Sequence, residues 1–289
     1  MSYQATDWSH DERIGTRIGG YLVESLLGVG GMGRVYSATA ADGTRVALKM
    51  VKQQFALDEQ FRRRFAREAR VARSVSNPHV VAVLDTGEHD GVPYLAEQFI
   101  EGVTLESKLK QDGCLDVPSV VRICAGVAEG LRALWDAGMV HRDIKPGNIL
   151  LDRAGRSIIA DFGLAKDTQG SVLTQPGQAI GSLDYMAPEQ IRGEEVTAAA
   201  DVYSLGCVMF ECVQGRPPFA DRQGFRALWA HLQEPPPDVG AGRADAPPAF
   251  TSALMAALRK NPAERPASST IYAASLSDAA GIQLACAVC

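Results

Sequence analysis

The sequence predicts an α+β fold in two lobes, a small β-rich N-terminal lobe with one main helix and a larger, mostly helical C-terminal lobe. Three observations carry this reading. Short β-rich runs broken by glycine turns fill the first third, apolar residues recur at helical spacing over most of the rest, and a short connector near residues 98–102 separates the two patterns. The implied boundaries are an N-terminal extension at 1–20, the small lobe at 21–98, the large lobe at 99–277 and a C-terminal tail at 278–289.

Taken in order, residues 21–27, 34–39 and 45–51 read as strands, the last two joined by the turn Ala41-Asp42-Gly43. Residues 58–75 carry Phe61, Phe65, Ala69 and Ala72 at spacings of three and four, which predicts a helix that Asn77-Pro78 stops. Two further strands are expected at 80–84 and 92–99. Beyond Thr104, Val120, Ile123, Val127, Leu131 and Leu134 form a helical stripe, with Gly138 placed to cap it. Residues 201–213 are apolar nearly all round and predict a helix buried in the core. The segment 234–249, rich in Pro, Gly and Ala, reads as a long loop.

Composition narrows the function classes. A net charge of −5 from 29 basic and 34 acidic residues supplies no basic field for a nucleic acid, and Arg62-Arg63-Arg64 reads as a solvated helix face. No run reaches the roughly 18 to 20 apolar residues of a membrane span, and the polar N-terminus is unlike a secretory signal, so the expected location is cytoplasmic, with tethering only through a longer parent chain. Six scattered cysteines include the tail pair Cys286 and Cys289, a weak match to half a zinc site or a prenylation box.

Four blocks carry the chemistry. Gly28-Val29-Gly30-Gly31-Met32-Gly33-Arg34-Val35 is a glycine turn that a dinucleotide site would follow with a helix; here a strand follows, which makes it a flap whose backbone N–H groups close over phosphates. Lys49, on a strand 16 residues after Gly33, is placed to hold α- and β-phosphates, with Glu68 of the following helix as its ion-pair partner. In His141-Arg142-Asp143-Ile144-Lys145-Pro146-Gly147-Asn148, Asp143 can accept the proton of an attacking hydroxyl, Lys145 can neutralise charge on the γ-phosphate, and Asn148 offers a neutral oxygen to Mg2+. Thirteen residues later, Asp161-Phe162-Gly163 supplies a carboxylate for a second contact to magnesium.

On these motifs the chain, over about residues 21–275, resembles the eukaryotic-like serine/threonine protein kinases of bacteria; Leu27 to Gly33 and Asp184-Tyr185-Met186-Ala187-Pro188-Glu189-Gln190 are close to that subgroup. The resemblance implies the two-lobed protein kinase fold, ATP and Mg2+ (or Mn2+ in its place) as cofactors, and Ser/Thr hydroxyls of proteins as acceptors. It assigns nucleotide contacts to Leu27, Gly28, Val29, Gly30, Gly31, Met32, Gly33, Val35, Ala47, Lys49, Gln98, Ile100 and Leu150, with Val35, Ala47 and Leu150 around the adenine. It makes Glu189 and Arg265 a buried ion pair and Asp201 a brace of the catalytic loop. Lys145 follows the serine/threonine pattern, and Ser182 stands near the acceptor where the family usually has threonine.

Two further positions depart from the pattern. Glu97 falls at the gatekeeper position behind the adenine, where an apolar residue or threonine is usual; a buried carboxylate there needs a partner, a raised pKa or water. Of the two threonines modified in the subgroup's activation segment, one is Thr174 and the other falls on Pro176, so autophosphorylation is expected mainly at Thr174 and secondarily at Ser171, with Arg142 receiving the phosphate. The resemblance also implies weak self-association through the small lobe. A catalytically silent member of the family and a small-molecule kinase are the alternatives. The first is disfavoured by the intact lysine and aspartates, the second by the complete segment from Asp161 to Glu189.

Overall fold

Burial alternates residue by residue from Arg45 to Met50, and that alternation organises the first of the two units into which the chain divides, Met1–Val75 with Val81–Ile100. The second unit is Ser76–Val80 with Glu101–Cys289. The computed structural model describes residues 11–31, 33–161 and 180–283.

The first unit is built on an antiparallel sheet of β1 (Arg17–Ile18), β2 (Tyr21–Val29), β3 (Gly33–Thr39), β4 (Arg45–Val51), β5 (Val83–His89) and β6 (Val92–Gln98), in the order β1-β2-β3-β4-β6-β5. Tyr36, Ala38, Val46, Leu48, Met50, Tyr94 and Ala96 pack with Ile18 and Val23 into its core. Register pairs Val35 with Lys49 and Ala47 with Glu97. Because strand side chains alternate, those four residues share the face opposite the core. After α1 (Gln53–Ala56), the expected helix forms as α2 (Glu59–Ser74): the Asp58 carboxylate caps the N–H groups of Gln60 and Phe61, and Phe61, Phe65, Ala69 and Ala72 are its buried stripe.

Two elements differ from the expectation. Residues 17–18, read as part of an extension, pair as an edge strand with β2. The strand expected at 80–84 runs instead from Val83 to His89. Val80 bridges to Ile159 of the second unit, so its apolar character reflects that core, while β5 tolerates polar residues because it is the sheet's far edge. Asp90 and Gly91, both at positive φ (50° and 75°), make the tight turn into β6.

The second unit combines a small sheet, β7 (Gly102–Thr104), β8 (Ile149–Asp152) and β9 (Ser157–Ile159), with α3 (Leu105–Asp112), α4 (Val117–Asp136), α5 (Pro188–Arg192), α6 (Ala198–Gln214), α7 (Phe225–Gln233), α8 (Pro248–Ala256) and α9 (Ser269–Ala280). Gly126 and Gly130 of α4 let His79 and β9 approach: a Cβ at Gly126 would lie 2.3 Å from the Ser157 hydroxyl, and one at Gly130 2.6 Å from the His79 carbonyl oxygen. From Ala200 to Val213 only Glu211 escapes full burial, as expected of a core helix. The loop between α7 and α8 is pinned by Arg243, which donates to the carbonyls of Val213 and Leu115 and pairs with Asp245. Among the described residues no helix is long and apolar enough to cross a membrane.

Candidate active site

The glycine turn and the strand lysine lie in the first unit. The turn closes between β2 and β3 with Gly30 N–H donating to the Gly33 carbonyl at 2.8 Å. Gly33 is required by proximity: a Cβ there would sit 1.9 Å from the Met50 carbonyl oxygen across the β3–β4 ladder. Leu27, Gly28, Val29, Gly30 and Gly31 are exposed on the turn, and Met32 lies outside the described residues. Lys49 and Ala47 are half-buried on the face they share with Val35 and Glu97. Glu68 is half-buried on α2. Glu97 is only 5% exposed, which removes the reading in which its carboxylate stays wet. Gln98 closes β6, its N–H donating to Ala82, and half-buried Ile100 follows.

The second unit holds the catalytic loop. Its backbone is clamped by Asp201 at the start of α6: Oδ2 accepts the His141 N–H and Oδ1 the Arg142 N–H, both at 2.8 Å. Burial is the main influence pushing the Asp201 carboxyl upward, and His141 with these two N–H bonds opposes it. Arg142 is thereby held at φ 64°, a left-handed conformation that a non-glycine residue adopts only under constraint. His141 is fully buried, which lowers its pKa and keeps the ring neutral; its Nδ1 faces the Asp143 N–H at 3.2 Å. The Asp143 carboxylate is gripped from two sides, by Lys145 Nζ at 3.0 Å and Asn148 Nδ2 at 3.1 Å.

Asn148 is 5% exposed and also donates its amide nitrogen to the Asp143 carbonyl at 2.9 Å, so its oxygen is the atom left to face a cation. Asp161, just after β9, has φ 58° and is half-buried. An amide oxygen and a carboxylate suit a hard cation that takes its remaining ligands from phosphates. Among the described residues no cluster of three or more His, Cys, Asp or Glu forms an all-protein metal cage. Leu150 is half-buried on β8, between Thr104 of β7 and Ile158 of β9. Thr174, Ser171, Phe162 and Gly163 lie outside the described residues, as do Cys286 and Cys289; Ser182 falls within the 3-10 turn Ile180–Tyr185.

The segment after that turn is anchored to the core. Arg265 and Glu189 form the expected pair, Nη1 to Oε1 at 2.7 Å and Nη2 to Oε2 at 2.8 Å, with side-chain exposures of 0% and 3%. Sequence reasoning missed the bridge next to it: Gln190 accepts the Ala187 N–H and donates to the Arg142 carbonyl, both at 3.1 Å, tying this segment to the catalytic loop. Its position beside Glu189 was the available signal. It also missed the group of buried Tyr203 and His231 with half-buried Lys260, in which Tyr203 and His231 are hydrogen-bonded at 2.8 Å and Lys260 donates to the Ala230 carbonyl at 3.0 Å.

Comparison with known proteins places these features. The family model for the protein kinase domain matches residues 21–276. The serine/threonine-protein kinase PknH of Mycobacterium bovis is 41% identical over 262 residues, 90% of this chain and 44% of that protein. PknD of Mycobacterium tuberculosis is 40% identical over 255 residues, 88% of this chain and 38% of that protein. The chain thus spans less than half the length of these curated relatives. The crystal structure of the M. tuberculosis PknI kinase domain aligns with a TM-score of 0.76 at 32% identity, covering 93% of this chain and 99% of that one. A family match over most of the chain, relatives at 40% identity and a shared fold lead to one conclusion: this chain belongs to the protein kinase domain family.

Proposed function

We propose that the chain transfers the γ-phosphoryl group of ATP to serine or threonine hydroxyls of proteins. The observation that carries this reading is the Asp143 carboxylate, held by Lys145 and Asn148 at 3.0 and 3.1 Å on a loop whose backbone Asp201 fixes. A carboxylate so oriented accepts a hydroxyl proton as the oxygen attacks, and an adjacent ammonium offsets charge on the transferred group. The turn from Leu27 to Gly33 presents backbone N–H groups to phosphates, Lys49 holds the α- and β-phosphates, and Glu68 orients Lys49. Val35, Ala47 and Leu150 contact the adenine, with Gln98 and Ile100 at its edge. Asn148 Oδ1 and the Asp161 carboxylate would hold Mg2+, or Mn2+, which supplies charge neutralisation at the phosphates. Use of ATP assigns the reaction to the cytoplasm, where that donor is made.

The same reading extends to regulation. Arg142 Nε is buried with no hydrogen-bond partner among the described residues. A phosphate on Thr174 would bring about 1.5 to 2 negative charges and acceptor oxygens suited to such a donor. Autophosphorylation at Thr174, with Ser171 as the secondary site, is therefore part of the proposal, as are protein substrates and a weak homodimer through the first unit. Buried Glu97 favours a second reading, a domain with weakened nucleotide binding. Incubation with radiolabelled Mg-ATP and a generic protein separates them. Label recovered as phosphoserine and phosphothreonine supports the kinase, and no transfer at any ATP concentration overturns it.

A further inference from the structure

The segment preceding β2 grips both strands of the glycine turn. On the β2 side the grip is backbone: Gly15 N–H donates to Val23 at 2.8 Å, Val23 N–H donates to Thr16 at 3.0 Å, and β1 pairs with Tyr21 and Leu22. On the β3 side it is one carboxylate. Asp11 Oδ2 accepts from Arg34 Nη1 at 2.6 Å and from the Tyr36 hydroxyl at 3.0 Å, while Oδ1 accepts the Arg13 N–H at 3.0 Å.

Position gives this clamp its leverage. Arg34 directly follows Gly33 and pairs with Val29, the last rung of the ladder before the turn. Tyr36 is fully buried in the core of the same unit, so Asp11 ties the end of β3 next to the turn to a fixed point. The Asp11 side chain is 5% exposed against 43% for Arg34. Burial would raise the Asp11 carboxyl, but the Arg13 N–H, the Tyr36 hydroxyl and the two guanidinium groups together hold it below the ordinary carboxylate range. Arg34 also has room to move, since it borders a cavity of about 330 Å3 lined by Arg13, Val29, Gly33 and Lys52. Glu12 and Gln53 also line that space, and the Asp11 carboxylate is the acceptor that joins Arg34 to buried Tyr36.

We propose that Asp11 is a positioning residue for the nucleotide flap: by holding Arg34 and Tyr36 it preorganises the β3 side of the glycine turn, so that less ordering remains for ATP to impose. The proposal rests on the nucleotide-binding role given to the turn above. Asp11 touches no reacting atom, so its removal should weaken ATP binding and spare the chemical step.

The test is a set of variants of the full chain, each measured for nucleotide Kd with a fluorescent ATP analogue and for KM and kcat. Asp11→Ala should raise Kd and KM for ATP about fivefold to tenfold, the scale of one typical net hydrogen bond, with kcat within about twofold. Arg34→Ala should raise both in the same direction by no more than Asp11→Ala does, and the double variant should be no worse than Asp11→Ala alone, because that variant has already lost the Arg34 contact. Should Asp11→Ala fail to fold, Arg34→Ala, which keeps the contact between Asp11 and Tyr36, carries the test, with a raised Kd and kcat within about twofold. A folded variant with unchanged Kd, or a fall in kcat with no change in Kd, overturns the clamp. A wild-type chain that binds no nucleotide overturns the proposed function itself, a distinct outcome.

Discussion

Replacing Asp201 by asparagine tests how the catalytic loop is held. The carboxylate receives two backbone N–H groups at 2.8 Å each in a site 5% exposed to solvent. Each such bond to a charged acceptor contributes about 1.5–3 kcal/mol, and an orphaned buried N–H costs a similar amount. Asparagine has a single oxygen, so one N–H keeps a weaker neutral acceptor while the other meets an NH2 group. The gross loss is about 3–5 kcal/mol, partly offset because asparagine removes the burial cost of a charge, the same cost that raises the Asp201 carboxyl. A net loss of about 2 kcal/mol of stability follows. The functional loss should be larger in kind. Holding Arg142 at φ 64° costs about 1–2 kcal/mol of backbone strain, and with the clamp weakened the residue can relax and carry its neighbour Asp143 away. Asp201→Asn should therefore lower kcat about 100-fold, equivalent to about 2.7 kcal/mol, with ATP affinity little changed. Urea unfolding, nucleotide titration and steady-state transfer read the three quantities. A folded Asn variant with kcat within threefold of wild type would refute the reasoning.

Further outcomes follow from the same geometry. All five N–H donors of Arg265 are engaged, two with Glu189 and the others with the carbonyls of Arg259, Ala199 and Lys260, so Arg265→Met should cost about 3–5 kcal/mol in urea unfolding. A loss below about 1 kcal/mol would show the pair to be dispensable. His231 is held neutral by burial, and secondarily by Lys260, with its pKa lowered to about 3. The unfolded state, at about 6.5, binds the proton first, so this contribution is full above pH 6.5 and falls as pH drops toward 3, by up to about 5 kcal/mol. His231→Gln should flatten the acid limb of a stability–pH profile, and an unchanged limb would count against this assignment. Thr174→Ala should lower activity after preincubation with Mg-ATP by about tenfold while leaving the unfolding midpoint alone, because it removes the phosphate offered to Arg142. Equal activity, or phosphate mapped elsewhere in the segment, would remove that site.

Much of the site was legible because its chemistry is local in sequence. Asp143, Lys145 and Asn148 lie within six residues of one another, and the structure brings their side chains together on one loop. The helix over 59–74 announced itself through Phe61, Phe65, Ala69 and Ala72 at spacings of three and four, the residues it buries. What escaped reading depends on distant partners. Val80 looked like the start of a strand because apolar character does not say which unit will bury it. Arg17 and Ile18 form a two-residue strand, too short for any periodicity. The small sheet of β7, β8 and β9 consists of strands of three or four residues, too short for periodicity to show, and β7 lies far along the chain from its partner β8. Arg243 and Asp11 carry no motif and Gln190 only closes one; each matters through a backbone or side-chain partner far along the chain.

The central claim is that Asp143 serves the hydroxyl and not the nucleotide. Its most direct test measures radiolabel transfer and nucleotide Kd side by side in the wild type and Asp143→Asn. Asparagine preserves shape and removes the charge that accepts the proton, and such a loss lowers turnover by about 100-fold or more. Transfer should fall to about one per cent of wild type or less, with Kd within about twofold. An Asn variant that keeps more than a few per cent of transfer, or that loses nucleotide binding in proportion, would contradict it.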